Sequence, residues 1–287
     1  MSLSILRPGL LSTVQDLGRH GYQKDGILVS GAMDATALRV ANLLVGNPEA
    51  AAGLEITLLG PRIRFETDHL LAITGAHLSP TLNGQPVGLN RAIWVRAGTE
   101  LAFGAPVAGS RAYLAVSGGF DIAPVLGSQS TYLRAGFGGL HGRALQTGDL
   151  IPCPGPTAAG RHLLAELSSS NPQAGWAQAR WTPGPELCPT PRPNPVIHAI
   201  RGPEYAQFSP ESQLNFWQQP FPITTEADRM GYRLQGPMLE RHGSGEPAVQ
   251  CRDVWHRAGA GRWAAHCAHG RPPNHGRLPA HCPGYHR

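Results

Sequence analysis

The chain between Ile56 and Val116 breaks into short apolar segments that cannot be helices. "LEITLLGPRIRF", "HLLAITGA", "AIWVRAGTELAFG" and "SRAYLAVSGG" are rich in β-branched and aromatic residues, and Gly, Pro or Asn-Gly separates them. Asn83-Gly84 suits a hairpin turn, because both central residues of that turn take positive φ. Glycine and proline, 36 and 27 of 287 residues, sustain this punctuation, while only 15% of residues are charged, too few for long surface helices. The expectation is a mostly β fold with a few short helices, and 41% hydrophobic content suffices for a real core.

One helix interrupts the strands. In "ATALRVANLLVGN" the residues Leu38, Ala41, Asn42 and Val45 recur at helical spacing, with Asp34 placed to cap the start and Gly46 to end it. Residues 152–195 are rich in Pro, Ala and Ser without sustained periodicity and read as a linker or insertion. Strand-like alternation resumes at "VIHAIRGPEYAQF". The expected organisation is a first β-rich region over 1–151, the linker or insertion over 152–195, and the start of a second β-rich region over 196–248.

Three polar, glycine-rich segments can carry chemistry: residues 12–34, 117–149 and 224–237. Each mixes an Asp, an Arg and several glycines, as a backbone needs if it is to approach a small polar or anionic molecule closely. The same composition also builds plain tight turns. No segment holds Gly-Lys-Ser/Thr, and Lys24 is the sole lysine, so no P-loop is present. Lys24 itself reads as a solvated loop residue, with nothing apolar around it to depress its pKa. Ser128, Ser130 and Thr131 lack the Gly-x-Ser-x-Gly elbow of a serine hydrolase.

The net charge of +5 does not indicate nucleic acid or a membrane. Residues 251–287 hold six arginines and one acid, which accounts for the whole excess and leaves the body neutral. The absence of an 18-residue apolar run and of a secretory signal, together with five widely spaced cysteines read as free thiols, leads us to expect a cytoplasmic protein.

"TVQDLGRHGYQKDGILVSGAMD", "AYLAVSGGFDIAPVLGSQSTYLRAGFGGLHGRALQTGD" and "DRMGYRLQGP" together resemble the signature segments of the allophanate hydrolase subunit 2 family. This is also called the biotin-dependent carboxyltransferase-like or antagonist-of-Kip-inhibitor family, and it includes the C subunit of 5-oxoprolinase. The resemblance implies tandem cyclophilin-like β-barrels, which makes 1–151 the first β-barrel region and 196–248 the start of the second. It also implies one component of a complex whose other members are Kip-inhibitor-like (the B subunit) and lactam-utilisation-like (the A subunit). Together they hydrolyse 5-oxo-L-proline at the expense of ATP. The nucleotide enters through the complex, and no biotin-accepting Met-Lys pair occurs in this chain. The alternatives are a urea- or allophanate-type carboxyltransferase and a non-catalytic antagonist of a kinase inhibitor.

For a small polar amide substrate, the candidate contacts are Gln15, Asp16, Arg19, Ser30, Asp34, Ser128, Ser130, Tyr132, Arg134, Arg143, Asp228 and Arg229. The arginines can orient it and stabilise oxyanion or phosphate charge, while the acids accept its N–H groups. A buried structural ion pair is the competing role for Arg229.

The C-terminal segment departs from this resemblance. Residues 251–287 contain no Ile or Phe and cannot build a core; their Cys and His residues match no regular zinc spacing. Back-translating Trp255 to Ala260 and reading one base later permits Gly-Thr-Val-Gln-Val-Pro. Continuing through Trp263 to Tyr285 permits "GQPIVLMAD-x-QTTGGYPRIA-x-VI", which resembles the family's C-terminal segment. Residues 249–287 are therefore expected to be a disordered, out-of-frame tail, with a single-base frameshift near Glu246–Val249.

Overall fold

The computed structural model describes residues 1–170, 175–191, 196, 198–202, 205–225, 229 and 232–240, together with the backbone of 253–258 and 262–267. The chain divides into two units, Met1–Val196 and Ile197–Arg287.

The first unit is built on two antiparallel six-stranded sheets. Its elements in chain order are β1 (Ser2–Arg7), β2 (Leu11–Gln15), α1 (Ala35–Leu44), β3 (Gly53–Thr57), β4 (Arg62–Phe65), β5 (His69–His77), β6 (Pro80–Leu82) and β7 (Gln85–Pro86). There follow β8 (Ala92–Val95), β9 (Glu100–Phe103), β10 (Ala108–Val116), β11 (Leu150–Pro152), α2 (Ala158–Ser170) and β12 (Trp176–Gln178). One sheet runs β11-β1-β4-β9-β6-β7 and the other β12-β8-β5-β10-β3-β2. The mostly β expectation holds, and the quoted apolar segments form β3, β4, β5, β8, β9 and β10.

Period-two alternation divides each strand between two environments. Leu3, Ile5, Ile63, Phe65 and Leu101 of the first sheet meet Leu54, Ile56, Leu71, Ile73, Leu114 and Val116 of the second in the main core. The opposite face of the second sheet offers Leu70, Ala72, Trp94 and Ala115 to Val40, Ala41 and Leu44 of α1 and Leu167 of α2. Asp34 caps α1 as expected, its Oδ1 accepting the Ala37 N–H at 3.1 Å. The helix ends at Leu44, two residues before Gly46, which turns the chain at φ 72°.

Residues 152–195 are more than a linker. They carry α2, whose Leu163, Leu164 and Leu167 pack on the second sheet, and β12, which pairs with β8 with Trp176 opposite Val95. β12 is too short to show a period, and Gly160 and the serines at 168–170 weaken the helical signal of α2. The first unit accordingly extends past residue 151.

β2 is an edge strand, but its outer side is covered. The Thr131 N–H and hydroxyl both donate to the Val14 carbonyl at 3.0 Å, and the Leu145 N–H donates to the Ser12 carbonyl at 2.9 Å. The second glycine-rich segment thus supplies the missing neighbour.

In the second unit α3 (Pro210–Gln218) starts at a Ser209 cap that accepts the Ser212 N–H at 3.2 Å, and Ile223 bridges Leu234. Within the segment read as out of frame, β13 (Asp253–Ala258) pairs antiparallel with β14 (Arg262–Cys267), Asp253 opposite Cys267. Among the described residues these two strands pair only with each other.

Candidate functional site

The first two glycine-rich segments meet at the C-terminal end of β2. Asp16 follows that strand and is 9% exposed. Its Oδ1 accepts the hydroxyls of Ser128 at 2.7 Å and Ser130 at 2.5 Å and the Gly18 N–H at 2.7 Å, and its Oδ2 accepts the Gln129 N–H at 2.6 Å. A carboxylate held by this many donors behaves as a fastener between loops. Ser128 and Ser130 are buried and direct their protons at Asp16, and neither has a histidine base among its described partners.

Arg19 lies beside this knot and is 1% exposed. Its Nη2 donates to the Ser130 carbonyl at 2.5 Å, its Nη1 to Ser30 Oγ at 3.3 Å, and its Nε reaches the Val125 carbonyl at 3.5 Å. The guanidinium also stacks 4.9 Å from the Phe137 ring centre. Burial pulls its pKa down and the nearby Asp16 charge pulls it back up. Arginine is basic enough to stay charged through both effects.

Gln15 is fully buried and joins the segments from below. Its Nε2 donates to Thr13 Oγ1 at 3.0 Å and to the Thr131 carbonyl at 3.3 Å, and its Oε1 accepts the Gly31 N–H at 3.1 Å. Gly31 needs its glycine: φ is 85°, and a Cβ would lie 2.8 Å from the Gly18 nitrogen. Ser30 is half-buried at φ 57°.

Other candidates are placed differently. Asp34 is half-buried at the start of α1. Tyr132 is half-buried and meets Phe137 edge-on at 5.4 Å across a tight turn, on which Arg134 is exposed. Arg143 forks onto Asp149 with two bonds of 2.8 Å, and this contact holds the Asp149 carboxyl below its usual range. Arg229 is half-buried in the second unit, and Asp228 lies outside the described residues. The geometry therefore gathers Gln15, Asp16, Arg19, Ser30, Ser128 and Ser130, with Asp34 adjoining through the Gly31–Asp34 turn.

Two functional candidates escaped the sequence reading. Glu55 in β3 is 1% exposed and Tyr113 in β10 is fully buried, directly opposite each other in the sheet. The Tyr113 hydroxyl donates to Glu55 Oε2 at 2.9 Å. Burial first, and the Glu55 charge second, push the phenol well above its ordinary pKa, so it keeps that proton. The available signal was an acid in the middle of the apolar strand "GLEIT".

Among the described residues no group of three or more His, Cys, Asp and Glu side chains can hold a metal, and most of the tail's Cys and His residues lie outside that description. Cys153 and Cys188 are free, and burial pushes the Cys153 thiol up to about 12, which suits a core residue rather than a nucleophile. No helix of the described residues is long and apolar enough to cross a membrane.

This architecture, with its two loop-bearing sheets, is that of a carboxyltransferase domain. The family "Carboxyltransferase domain, subdomain A and B" matches residues 25–253, and the chain belongs to it. The C subunit of 5-oxoprolinase from Escherichia coli K12 is 41% identical over 239 residues, covering 83% of this chain and 70% of that protein. The Haemophilus influenzae protein of the same name is 37% identical, covering 80% and 67%. The crystal structure of K. lactis urea amidolyase superimposes with a TM-score of 0.70 at 31% identity over 84% of this chain. The chain spans only 14% of that larger protein. These likenesses support the role of an enzyme component within a multi-protein complex.

Proposed function

We propose that the chain is the C subunit of an ATP-dependent 5-oxoprolinase, acting in the cytoplasm with a Kip-inhibitor-like and a lactam-utilisation-like partner. The observation that carries this reading is 41% identity to a protein of that name across 70% of its length. In this reading the buried knot of Asp16, Arg19, Ser128 and Ser130 fixes the loops, and the more accessible groups face a small lactam. Asp34 accepts the substrate N–H, and Ser30, Tyr132 and the exposed Arg134 orient its carbonyl and carboxylate. ATP is assigned to the complex, because the two cations closest to a phosphate-binding role here hold internal partners, Arg19 on carbonyls and Arg143 on Asp149.

The active form carries the restored C-terminal frame. The test mixes the frame-restored chain with both partner proteins and measures ATP-dependent release of glutamate from 5-oxoproline, with the chain as given run in parallel. Turnover by the restored form alone is the expected result. Tight assembly without turnover would replace this reading with the regulatory one. The urea amidolyase likeness favours carboxyl transfer as a second reading, and urea-dependent consumption of carboxybiotin would establish it.

A further inference from the structure

The face of the second sheet that receives α1 carries a polar row where packing alone asks for apolar residues. Thr13, Glu55, Tyr113 and Thr74 stand in register across β2, β3, β10 and β5. All four are at most 1% exposed. Burying a carboxylate and three hydroxyls beneath a helix is unfavourable unless each finds a partner, and a well-packed apolar set would stabilise the fold at least as well.

What the row touches indicates its purpose. Thr74 Oγ1 donates to the Ala37 carbonyl at 2.7 Å, in the first turn of α1. Glu55 Oε2 accepts the Met33 N–H at 2.8 Å, and the Tyr113 hydroxyl accepts the Asp34 N–H at 2.7 Å while donating its own proton to Glu55. Thr13 steadies Gln15, which holds the Gly31 N–H, and the Asp16 carbonyl accepts the Ala32 N–H at 2.8 Å. Four successive N–H groups, Gly31 to Asp34, are thus each fixed from the sheet side. Arg111 stands 3.8 Å from Glu55 and balances its charge.

We propose that Glu55 and Tyr113 are positioning residues: as a buried carboxylate–phenol pair they set the backbone of Met33 and Asp34, and through it the direction of the Asp34 side chain. The catalytic part of this inference rests on the reading above, in which the Gly31–Asp34 turn faces the substrate. Tyr113→Phe keeps the ring in the core while removing both the acceptor for Asp34 and the donor to Glu55.

Two measurements on the full chain test the pair. Amide hydrogen exchange over residues 31–37 is expected to quicken about tenfold or more in Tyr113→Phe, with β1 and β4 unchanged. In the reconstituted complex, assayed well below the variant's melting transition, kcat/KM for 5-oxoproline is expected to fall about 10- to 100-fold, with kcat falling more than KM rises. Glu55→Gln, which keeps an acceptor for Met33, is expected to lose less than Glu55→Ala. Unchanged exchange overturns the inference, and so does quickened exchange with wild-type kcat/KM. A complex that shows no turnover even with the unsubstituted chain counts against the 5-oxoprolinase reading alone, and the exchange result then decides this one.

Discussion

Replacing Arg19 by Met separates a structural arginine from a substrate-binding one. The substitution keeps most of the side-chain volume but leaves the Ser130 carbonyl and Ser30 Oγ without their cationic donor and the Asp16 charge without its neighbour. Hydrogen bonds to a charged group contribute about 1.5–3 kcal/mol each. The 2.5 Å bond to Ser130 belongs at the upper end of that range and the 3.3 Å bond to Ser30 at the lower. The contact at 3.5 Å to Val125 is too long to add much, and stacking on Phe137 adds about 0.5–1 kcal/mol. The expected loss is therefore about 5 kcal/mol, or about 10–20 °C in melting temperature for a unit of this size. Urea titration of the full chain followed by circular dichroism measures it. Arg19→Lys is expected to recover less than half, because an ammonium cannot hold carbonyl, hydroxyl and ring at once. A loss below about 1 kcal/mol, with a large rise in KM for substrate, would refute the argument and return Arg19 to the ligand.

Other perturbations test neighbouring claims. His69 is 3% exposed, and burial lowers its pKa from 6.5 to about 4. Above pH 6.5 it contributes full stability; between 6.5 and 4 the unfolded chain binds a proton that the folded chain refuses. About 3 kcal/mol is then lost across this window, and His69→Gln should flatten that slope in urea titrations at several pH values. Gly31→Ala should cost about 2 kcal/mol or more, on the order expected for a strained φ plus a backbone clash, and thermal melts will report it. Cys153 should resist iodoacetamide in the folded chain and react once urea unfolds it, as peptide mass analysis can show.

The strands and α1 were legible because alternation and punctuation report burial directly: "HLLAITGA" falls within β5, and Asp34 caps the helix it precedes. The direction in which the loop side chains point was not legible. Asp16 and Arg19 look like surface residues by composition. Where two glycine-rich loops cross, however, the crossing itself creates carbonyls and N–H groups that need an internal cation and anion, and only the three-dimensional crossing shows this. Glu55 and Tyr113 were missed for the opposite reason, since strands dominated by Leu, Ile and Val drew the reading toward packing. β12 was hidden because three residues are too few to establish a period, and α2 because Gly160 and the serines at 168–170 are weak helix formers.

The loop that covers β2 has a consequence for how the family can diversify. Thr131 closes the sheet edge at Val14, while the adjacent Ser130 and Ser128 hold Asp16, so edge protection and loop placement share neighbouring bonds of one short peptide. A lineage that lengthened or reshaped residues 128–131 to accept a new substrate would also open a strand to pairing with other chains. Variation should therefore be tolerated at the exposed turn around Arg134 and selected against at the peptide behind it. A deep mutational scan scored for both solubility and turnover would show those two losses falling on the same residues.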